Sequence, residues 1–174
     1  MYEGNLVRLR AFEAGDADAN HAFMNDYETV RGMLSGLPLP SSMQDERDWL
    51  DRQTSMTSGA YQFAVEDADG DLVGRCGPLK VDWKNSCAEL GLMIATPYRR
   101  RGYGREAMTL LTRFCFEEMN LHRVEVRVMA FNTGALRCYE AVGFRREGVI
   151  RKQVFRAGSY HDVVVLGLLR EEWQ

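Results

Sequence analysis

The sequence lacks the features that mark a secreted or membrane-spanning protein. The first residues, from Met1 to Asn5, contain no basic segment followed by an apolar one, so they do not read as a signal peptide. No apolar run approaches the roughly 20 residues that a membrane-spanning helix needs. We therefore expect a cytoplasmic protein that does not act on a membrane.

Cysteine and histidine are few and scattered. The four cysteines form no C-x-x-C pair, and the three histidines stand far apart in the chain. This spacing favours small core residues in a reducing compartment over a disulfide framework, and it predicts no metal site. The sequence also lacks a G-x-S-x-G elbow and a G-x-x-x-x-G-K-[ST] loop. It therefore has neither the motif typical of an α/β-hydrolase nor that of a P-loop nucleotide-binding protein.

The composition is that of an ordinary globular domain, with 174 residues, 45% of them hydrophobic and 27% charged. We predict a single domain over residues 1–174. The net charge of −3 argues against a chain that wraps nucleic acid uniformly. The charge is uneven, with 4 basic and 10 acidic residues through Asp51, and 18 and 15 after it. This asymmetry indicates either two ligand regions of opposite charge or chance.

Hydrophobic periodicity predicts the secondary structure. Alternating or continuously apolar segments predict seven strands, at 6–10, 61–66, 72–81, 88–95, 123–128, 144–155 and 160–168. Helical patterns cover 16–24, with Asp16 as N-cap, and then 45–56, 103–119 and 132–142, and a loop rich in proline and glycine covers 32–42. The order predicts an α/β protein with a mixed sheet of about seven strands.

The segment from Arg99 to Arg105 joins a buried strand to a long helix. Gly102 and Gly104 remove side chains where the helix N-terminus presents unpaired N–H groups, which suit a phosphate or pyrophosphate. Three arginines at 99–101 add positive charge and bidentate donors. An arginine-rich surface turn whose glycines only ease entry into the helix fits the same spacing, so the spacing alone leaves both interpretations open.

Two motifs resemble a known family. The segment from Arg99 to Gly104 resembles the R/Q-x-x-G-x-G/A signature of the GNAT superfamily of acetyl-CoA-dependent N-acetyltransferases. The segment from Asn132 to Phe144 resembles its second signature, a helix that begins with Asn and ends Tyr-Glu-x-x-Gly-Phe. The opening strand and the ending at 158–173 resemble the branch that includes ribosomal-protein and spermidine N-acetyltransferases. The resemblance covers nearly the whole chain.

The resemblance implies a single-domain GNAT-like fold of class α/β (α+β). Its sheet is mixed and mostly antiparallel, with helices on both faces and a central parallel pair splayed by a bulge. The cofactor would be acetyl-CoA, with its pyrophosphate on the amides of 99–105 and its pantetheine arm paired to the strand that ends at 93–95. The cofactor-binding residues that the resemblance implies are Met93, Ile94, Ala95, Arg99, Arg100, Arg101, Gly102, Tyr103, Gly104, Arg105, Asn132 and Ala135.

Tyr139 is the candidate acid. The resemblance implies that its hydroxyl protonates the departing sulfur and that Asn132 hydrogen-bonds the cofactor. Residues seven apart lie on nearly the same face of a helix, so the two side chains should be neighbours. The alternatives are that Tyr139 only packs against Phe144 in the core and that Asn132 is a simple N-cap.

Glu89 is the candidate base. A carboxylate inside an otherwise apolar strand is costly unless it is paired or hydrogen-bonded. Glu89 would receive the proton of the amine, directly or through water. The alternatives are an ion pair with one of the arginines and a role in orienting the substrate. We interpret Asp162, near the end of the chain, mainly as structural.

The resemblance, together with these residues, implies transfer of an acetyl group to a primary amine by direct attack in a ternary complex. The acceptor would be a protein N-terminus, a polyamine or another small amine, and the acidic N-terminal region favours a cationic one. In the architecture that the resemblance implies, the Trp49 helix and the 33–42 loop would wall the acceptor side. A non-catalytic acyl-CoA sensor is the alternative. We expect no nucleic-acid partner, because there is one short basic cluster, and the resemblance is compatible with a homodimer.

Overall fold

The computed structural model describes residues 2–33, 36–54 and 61–173. Eight strands in this part of the chain form one sheet in the order β1-β2-β3-β4-β5-β6-β8-β7. The strands are β1 (Tyr2–Glu3), β2 (Val7–Arg10), β3 (Phe63–Asp67), β4 (Leu72–Asp82), β5 (Cys87–Ile94), β6 (Arg123–Met129), β7 (Arg145–Arg156) and β8 (Ser159–Leu169).

Five α-helices in the described residues accompany the sheet. They are α1 (Ala17–Met24), α2 (Tyr27–Val30), α3 (Met43–Thr54), α4 (Tyr103–Glu117) and α5 (Thr133–Val142), with short 3-10 turns at Ala14–Asp16, Thr96–Tyr98 and Arg170–Glu172. None of the helices described is long and apolar enough to cross a membrane.

The predicted elements are present, with boundaries that shift by no more than two residues. The strand β1 and the helix α2 were not predicted, because two and four residues are too short to show a period. The helix α3 begins at Met43, two residues earlier than predicted. Positions 55–56 of the predicted helix, and 34–35 of the predicted loop, lie outside the described residues.

The mixed sheet contains one parallel pair, β5 with β6. Its pairing comprises Cys87 with Arg123, Ala88 with Val124 and Glu89 with Glu125, and beyond Glu89 the two strands pair no further. Glu89 also lies beside a β-bulge in the antiparallel ladder between β4 and β5. There, Leu79 of β4 is an extra residue between the pairs Pro78 with Leu90 and Lys80 with Glu89. The expected splayed pair is confirmed, with the bulge in β4.

Two hydrophobic clusters cover opposite faces of the sheet. Neighbouring strand residues alternate between them, as Ala64 and Val65 do, which is the period-2 pattern of a strand buried on both faces. The larger cluster packs under α4 and α5, and the smaller one under α1 and α3. The sheet is therefore a central layer between helices.

A buried ion network joins β2 to its neighbours. Glu66 of β3 is 6% exposed and accepts hydrogen bonds from Arg8, at 2.6 Å, and from Arg10. Arg10 also binds both oxygens of Asp16, each at 2.8 Å. Asp16 occupies the predicted N-cap position of α1, but its carboxylate binds Arg10 and the amide of Glu13 rather than the first amides of the helix.

Candidate active site

Two adjacent cavities open where β5 and β6 diverge. The glycine-turn cavity has a volume of about 510 Å³ and includes residues from the segment 99–105. The Trp49 cavity has a volume of about 490 Å³ and includes residues from α3, β4 and the start of β5. The two cavities share seven lining residues, which are Gly32, Met33, Leu92, Met93, Asn132, Ala135 and Tyr139. A ligand in one cavity is therefore in reach of a ligand in the other.

The glycine turn is shaped to receive an anion. Gly102 is the N-cap of α4 with φ of 89°, and Arg100 has φ of 65°, so two left-handed residues turn the chain just before the helix. A Cβ on Gly104 would lie 3.4 Å from Leu92 and 3.5 Å from Ile94, in ordinary van der Waals contact, so the first turn of α4 packs directly against β5. The first amides of α4 have no intrahelical acceptor, which fits a pyrophosphate.

The Arg99 side chain supports this turn from behind. Its guanidinium donates to the carbonyl of Ile94 at 2.9 Å, to that of Glu28 at 3.0 Å and to that of Thr29 at 3.2 Å. These bonds join the end of β5 to α2. Arg99 lines the glycine-turn cavity, but its donors are engaged with the backbone.

Replacing Arg99 with alanine is expected to lower the free energy of unfolding by about 1–2 kcal/mol, because three hydrogen bonds to carbonyls disappear from a partly exposed site. Urea denaturation measures the loss. The matched control is Arg101→Ala, whose exposed guanidinium makes one hydrogen bond, at 3.3 Å to Pro97, and lies 5.7 Å from the Tyr98 ring centroid, and it should cost less than about 1 kcal/mol. Equal losses for the two variants would contradict a supporting role for Arg99.

The other predicted cofactor residues divide into two groups. Nine of the twelve line the glycine-turn cavity, namely Met93, Ile94, Arg99, Arg100, Gly102, Gly104, Arg105, Asn132 and Ala135. Three do not: Ala95 is buried, Arg101 packs over the Tyr98 ring at 5.7 Å, and Tyr103 donates its hydroxyl to Asp67 at 3.3 Å. Cofactor binding by all twelve stays a prediction.

The edge of β5 presents backbone groups to the gap. Ala95 donates its N–H to Val73 of β4, and Ile94 is in register with Gly74. Because antiparallel partners alternate between bonded and non-bonded positions, the N–H and C=O groups of Leu92 and Ile94 point away from β4. Among residues 2–33, 36–54 and 61–173, Arg99 alone binds one of these groups, the carbonyl of Ile94. An extended, amide-rich ligand fits this edge as an added strand.

Tyr139 lies at the wall that the two cavities share. The residue is 6% exposed, and its ring centroid is 5.9 Å from that of Phe144, so the predicted core packing is present. Among the described residues, none hydrogen-bonds its hydroxyl. Burial raises the pKa of Tyr139, and the nearby Cys138 and Cys76 thiols raise it further. The phenol therefore stays protonated near neutral pH, with a proton that no residue in the described part of the chain accepts.

Asn132 caps α5 as predicted. Its Oδ1 accepts from the Ala135 amide at 3.2 Å, and Gly143 ends the helix with φ of 117°. Its Nδ2 lies close to Gly32, where a Cβ would be 2.9 Å away. Asn132 and Tyr139 line the same wall, so their predicted common face is confirmed.

Glu89 lies at the fork, the point where β5 and β6 diverge after their last pair, and it lines the Trp49 cavity. Its Oε2 is 3.7 Å from Nε of Arg127, which also lies 3.3 Å from Glu125. The predicted alternative, an ion pair with an arginine, is therefore present. A role as base stays a prediction.

The acidic excess of the N-terminal third does not face the cavities. None of the ten acidic residues through Asp51 lines either one. Several are engaged elsewhere: Asp16 binds Arg10, Asp26 caps α2, and Glu46 is 5% exposed and accepts from Asn20 and Ser41. Trp49 and Met33 do line the Trp49 cavity, as expected for the α3 helix and the loop before it. These segments supply the wall but no carboxylate.

Four polar residues of the Trp49 cavity were not predicted. They are Gln53 of α3, Gln62 just before β3, Arg75 of β4 and Arg127 of β6. The sequence could have indicated Arg75, because it is the one charged residue in the otherwise uncharged segment from Leu72 to Pro78. Neither Gln53 nor Gln62 shows a pattern that separates it from a surface glutamine.

Asp162 has a structural contact, as the sequence suggested. Its Oδ1 accepts from the backbone N–H of Lys152 at 2.8 Å, where β7 is irregular. The neighbouring His161 packs on Phe131, with ring centroids 4.8 Å apart. Neither Asp162 nor His161 is among the residues that line the two cavities.

Comparisons with known proteins agree with this geometry. Residues 7–145 match the model of the acetyltransferase (GNAT) domain. The SPbeta prophage-derived uncharacterized N-acetyltransferase YokL of Bacillus subtilis is 31% identical, covering 99% of this chain and 95% of that protein. The spermidine N(1)-acetyltransferase of Vibrio cholerae is 28% identical, covering 96% and 95%. A crystal structure of spermidine N-acetyltransferase from Vibrio cholerae with CoA and spermine has a TM-score of 0.86 at 25% identity, covering 97% and 98%.

Proposed function

The chain belongs to the acetyltransferase (GNAT) family and is an acetyl-CoA-dependent N-acetyltransferase, and we propose that it uses Tyr139 and Glu89 for the proton transfers. The observation that supports the proposal most concerns Tyr139, a buried residue that lines both cavities and whose hydroxyl has no hydrogen-bond partner among the described residues. One cavity suits the cofactor, and the other suits the amine.

The glycine-turn cavity would hold the cofactor, which supplies an acetyl group activated as a thioester. The first amides of α4 and the cations of Arg100 and Arg105 would bind the pyrophosphate. The free backbone groups of Leu92 and Ile94 would pair with the pantetheine arm, and Nδ2 of Asn132 would donate to it. Of the cofactor's parts, the thioester would then lie nearest Tyr139, at the shared wall.

The reaction forms a C–N bond and breaks a C–S bond, so one proton leaves the amine and one joins the sulfur. Tyr139 Oη donates to the departing sulfur, which a general acid accelerates by about 10²–10⁴-fold. Glu89, on the amine side, receives the proton of the amine directly or through water. The tyrosine is reprotonated from the solvent that fills the cavities.

Direct attack in a ternary complex is supported by two features. The cavities share a wall, so both substrates have room at the same time. Cys138 is the one cysteine among the residues that line the two cavities. Burial raises the pKa of its thiol to about 11, although the charge of Arg105 opposes the shift. A thiol that stays protonated near neutral pH is a poor nucleophile for a covalent acyl-enzyme.

The acceptor is an amine, and we propose a primary amine from one of three classes: a protein N-terminus, a polyamine or another small amine. The relative named for spermidine supports a polyamine as one candidate. A second copy of the chain as a partner stays a prediction, which sedimentation of the purified protein would test.

The proposal is tested by thiol release from acetyl-CoA with a panel of primary amines, followed by mass spectrometry of the product. We expect turnover and a mass increase of one acetyl group for at least one class. The matched control for each active amine is its N,N-dimethyl form, which has no proton to lose and should be inert. Tight acetyl-CoA binding without thiol release, even in a single turnover, would favour the sensor alternative.

A further inference from the structure

The Trp49 cavity has an unusual charge balance for a site that takes an amine. Its charged lining residues are Arg75, Arg127 and Glu89. Arg127 lies between two carboxylates, at 3.7 Å from Glu89 and 3.3 Å from Glu125, and is therefore neutralised. Arg75 has no carboxylate within 4.0 Å among the residues of 2–33, 36–54 and 61–173. One positive charge of the cavity thus lacks an ionic partner.

Arg75 is held in place by weak contacts that leave its donors largely free. Its guanidinium carbon lies 4.3 Å from the centroid of the Trp49 ring, and its two terminal nitrogens lie 3.4 Å from Asn20 Oδ1 and 3.2 Å from Met24 Sδ. A guanidinium has five N–H donors, so these contacts do not use its bidentate capacity. Stacking on Trp49 fixes the plane in which a ligand would be bound.

The electrostatics around Arg75 favour an anion. Burial lowers the pKa of Arg75, and only the charge of Glu46 opposes this shift. Glu46 does not line the cavity, and it already accepts from Asn20 and Ser41. A half-buried cation that is both desolvated and unpaired gains more from a bound carboxylate than an exposed one does.

The rest of the cavity suits a small amphipathic ligand. Apolar side chains supply much of the lining, including Met33, Pro78, Leu79 and Leu90. Gln53 Oε1 is buried without a hydrogen-bond partner in the described part of the chain, so it can accept from an N–H group. A polyamine would bring several positive charges to a cavity whose one lining carboxylate, Glu89, is already paired, next to an unpaired arginine.

On the premise of the proposed function, we propose that the acceptor is a small amine that carries a carboxylate, such as an amino acid. Arg75 binds this carboxylate with its free donors, and Trp49 orients the guanidinium. The amine of the same molecule then points toward Glu89 and Tyr139. This is a narrower class than the primary amines considered above, and it excludes polyamines as the preferred acceptor.

The test compares leucine, leucinamide and spermidine as acceptors in the thiol-release assay. Leucinamide has the same side chain and amine but no carboxylate, and its amine is the less basic one, so it is the more available nucleophile at neutral pH. We expect kcat/KM for leucine to exceed that for leucinamide and for spermidine by about tenfold or more, with the difference from leucinamide mainly in KM, because it comes from binding a carboxylate.

The variant Arg75→Met removes the charge but keeps a long side chain on Trp49. We expect it to bring the ratio of KM values for leucinamide and leucine close to one, and Arg75→Lys to restore part of the ratio. Arg113→Met, an exposed position on α4, is the matched control and should keep the wild-type ratio. Acetyl-CoA affinity, measured by calorimetry, checks that each variant is folded.

The outcomes separate the two proposals. Spermidine or leucinamide used as well as leucine would overturn the carboxylate inference and leave the N-acetyltransferase mechanism standing. An unchanged KM ratio in Arg75→Met would also overturn it. Absence of thiol release with all three amines and with the wider panel would overturn the proposed function together with this inference.

Discussion

Tyr139→Phe is expected to lower kcat about 100-fold or more while acetyl-CoA binds nearly as tightly as before. The substitution removes one hydroxyl from a residue that is 6% exposed and keeps the ring that packs against Phe144. The hydroxyl has no hydrogen-bond partner among the described residues, so its loss leaves no protein group unsatisfied. The effect should therefore fall on proton donation to the sulfur rather than on the fold.

Steady-state thiol release measures kcat, and calorimetry measures the affinity for acetyl-CoA. Tyr160→Phe is the matched control, because Tyr160 is 61% exposed on β8 and is absent from both cavities. Since burial raises the pKa of Tyr139 above its ordinary value of 10.0, the wild-type enzyme should show no alkaline loss of kcat from this phenol below about pH 10. A fall of less than about fivefold in Tyr139→Phe would mean that another group, or water, protonates the sulfur.

Arg10→Met should destabilise the protein by about 3–5 kcal/mol, because it leaves Glu66 and Asp16 buried without their shared cation. Glu66 is 6% exposed and Asp16 is 7% exposed, so solvent cannot replace the arginine. Arg8→Met is the matched control, since Arg8 binds Glu66 alone and its side chain is 52% exposed, and it should cost about 1 kcal/mol or less. Thermal and urea unfolding of the two variants measure the difference.

The pH dependence of stability gives a second measurement of the same network. Burial raises the pKa of Asp16, but its hydrogen bonds to Arg10 and to the Glu13 amide lower it more, so the net shift is downward from 3.8. Its contribution is therefore present above about pH 3.8 and is lost as the pH falls through the lower, folded-state value. Arg10→Met should lose less stability than the wild type over this range. Parallel acid-unfolding curves would contradict the assignment.

The sequence predicted those parts of the site whose residues lie close together in the chain. A helix N-terminus that approaches an anion needs small residues such as Gly102 and Gly104, and a helix that begins at Asn132 and ends at Gly143 shows both caps in its sequence. The alternation that places Glu89 in a buried strand is equally local. These features lie within a few residues of one another, so a single sequence contains them.

The parts that the sequence did not predict depend on which elements meet. Arg75 and Gln53 are 22 residues apart in the chain and belong to a strand and a helix, yet they line one cavity. The extra residue Leu79 in β4 has no compositional mark, because a bulge is a feature of pairing. The acidic excess of the N-terminal region suggested carboxylates near the acceptor, and none of them lines a cavity. Net charge does not show which carboxylates are already bonded to Arg10, Asn20 or the backbone.

The fork between β5 and β6 has a thermodynamic consequence. A sheet whose central pair stops after Glu89 has an unfinished ladder inside the molecule, and a bound pantetheine arm would complete it. A ligand that binds the folded state alone adds RT ln(1 + [L]/Kd) to its stability, which is about 2.7 kcal/mol at 100 times Kd. The concentration of cofactor around the enzyme would then set its resistance to unfolding and to proteolysis, as well as its rate.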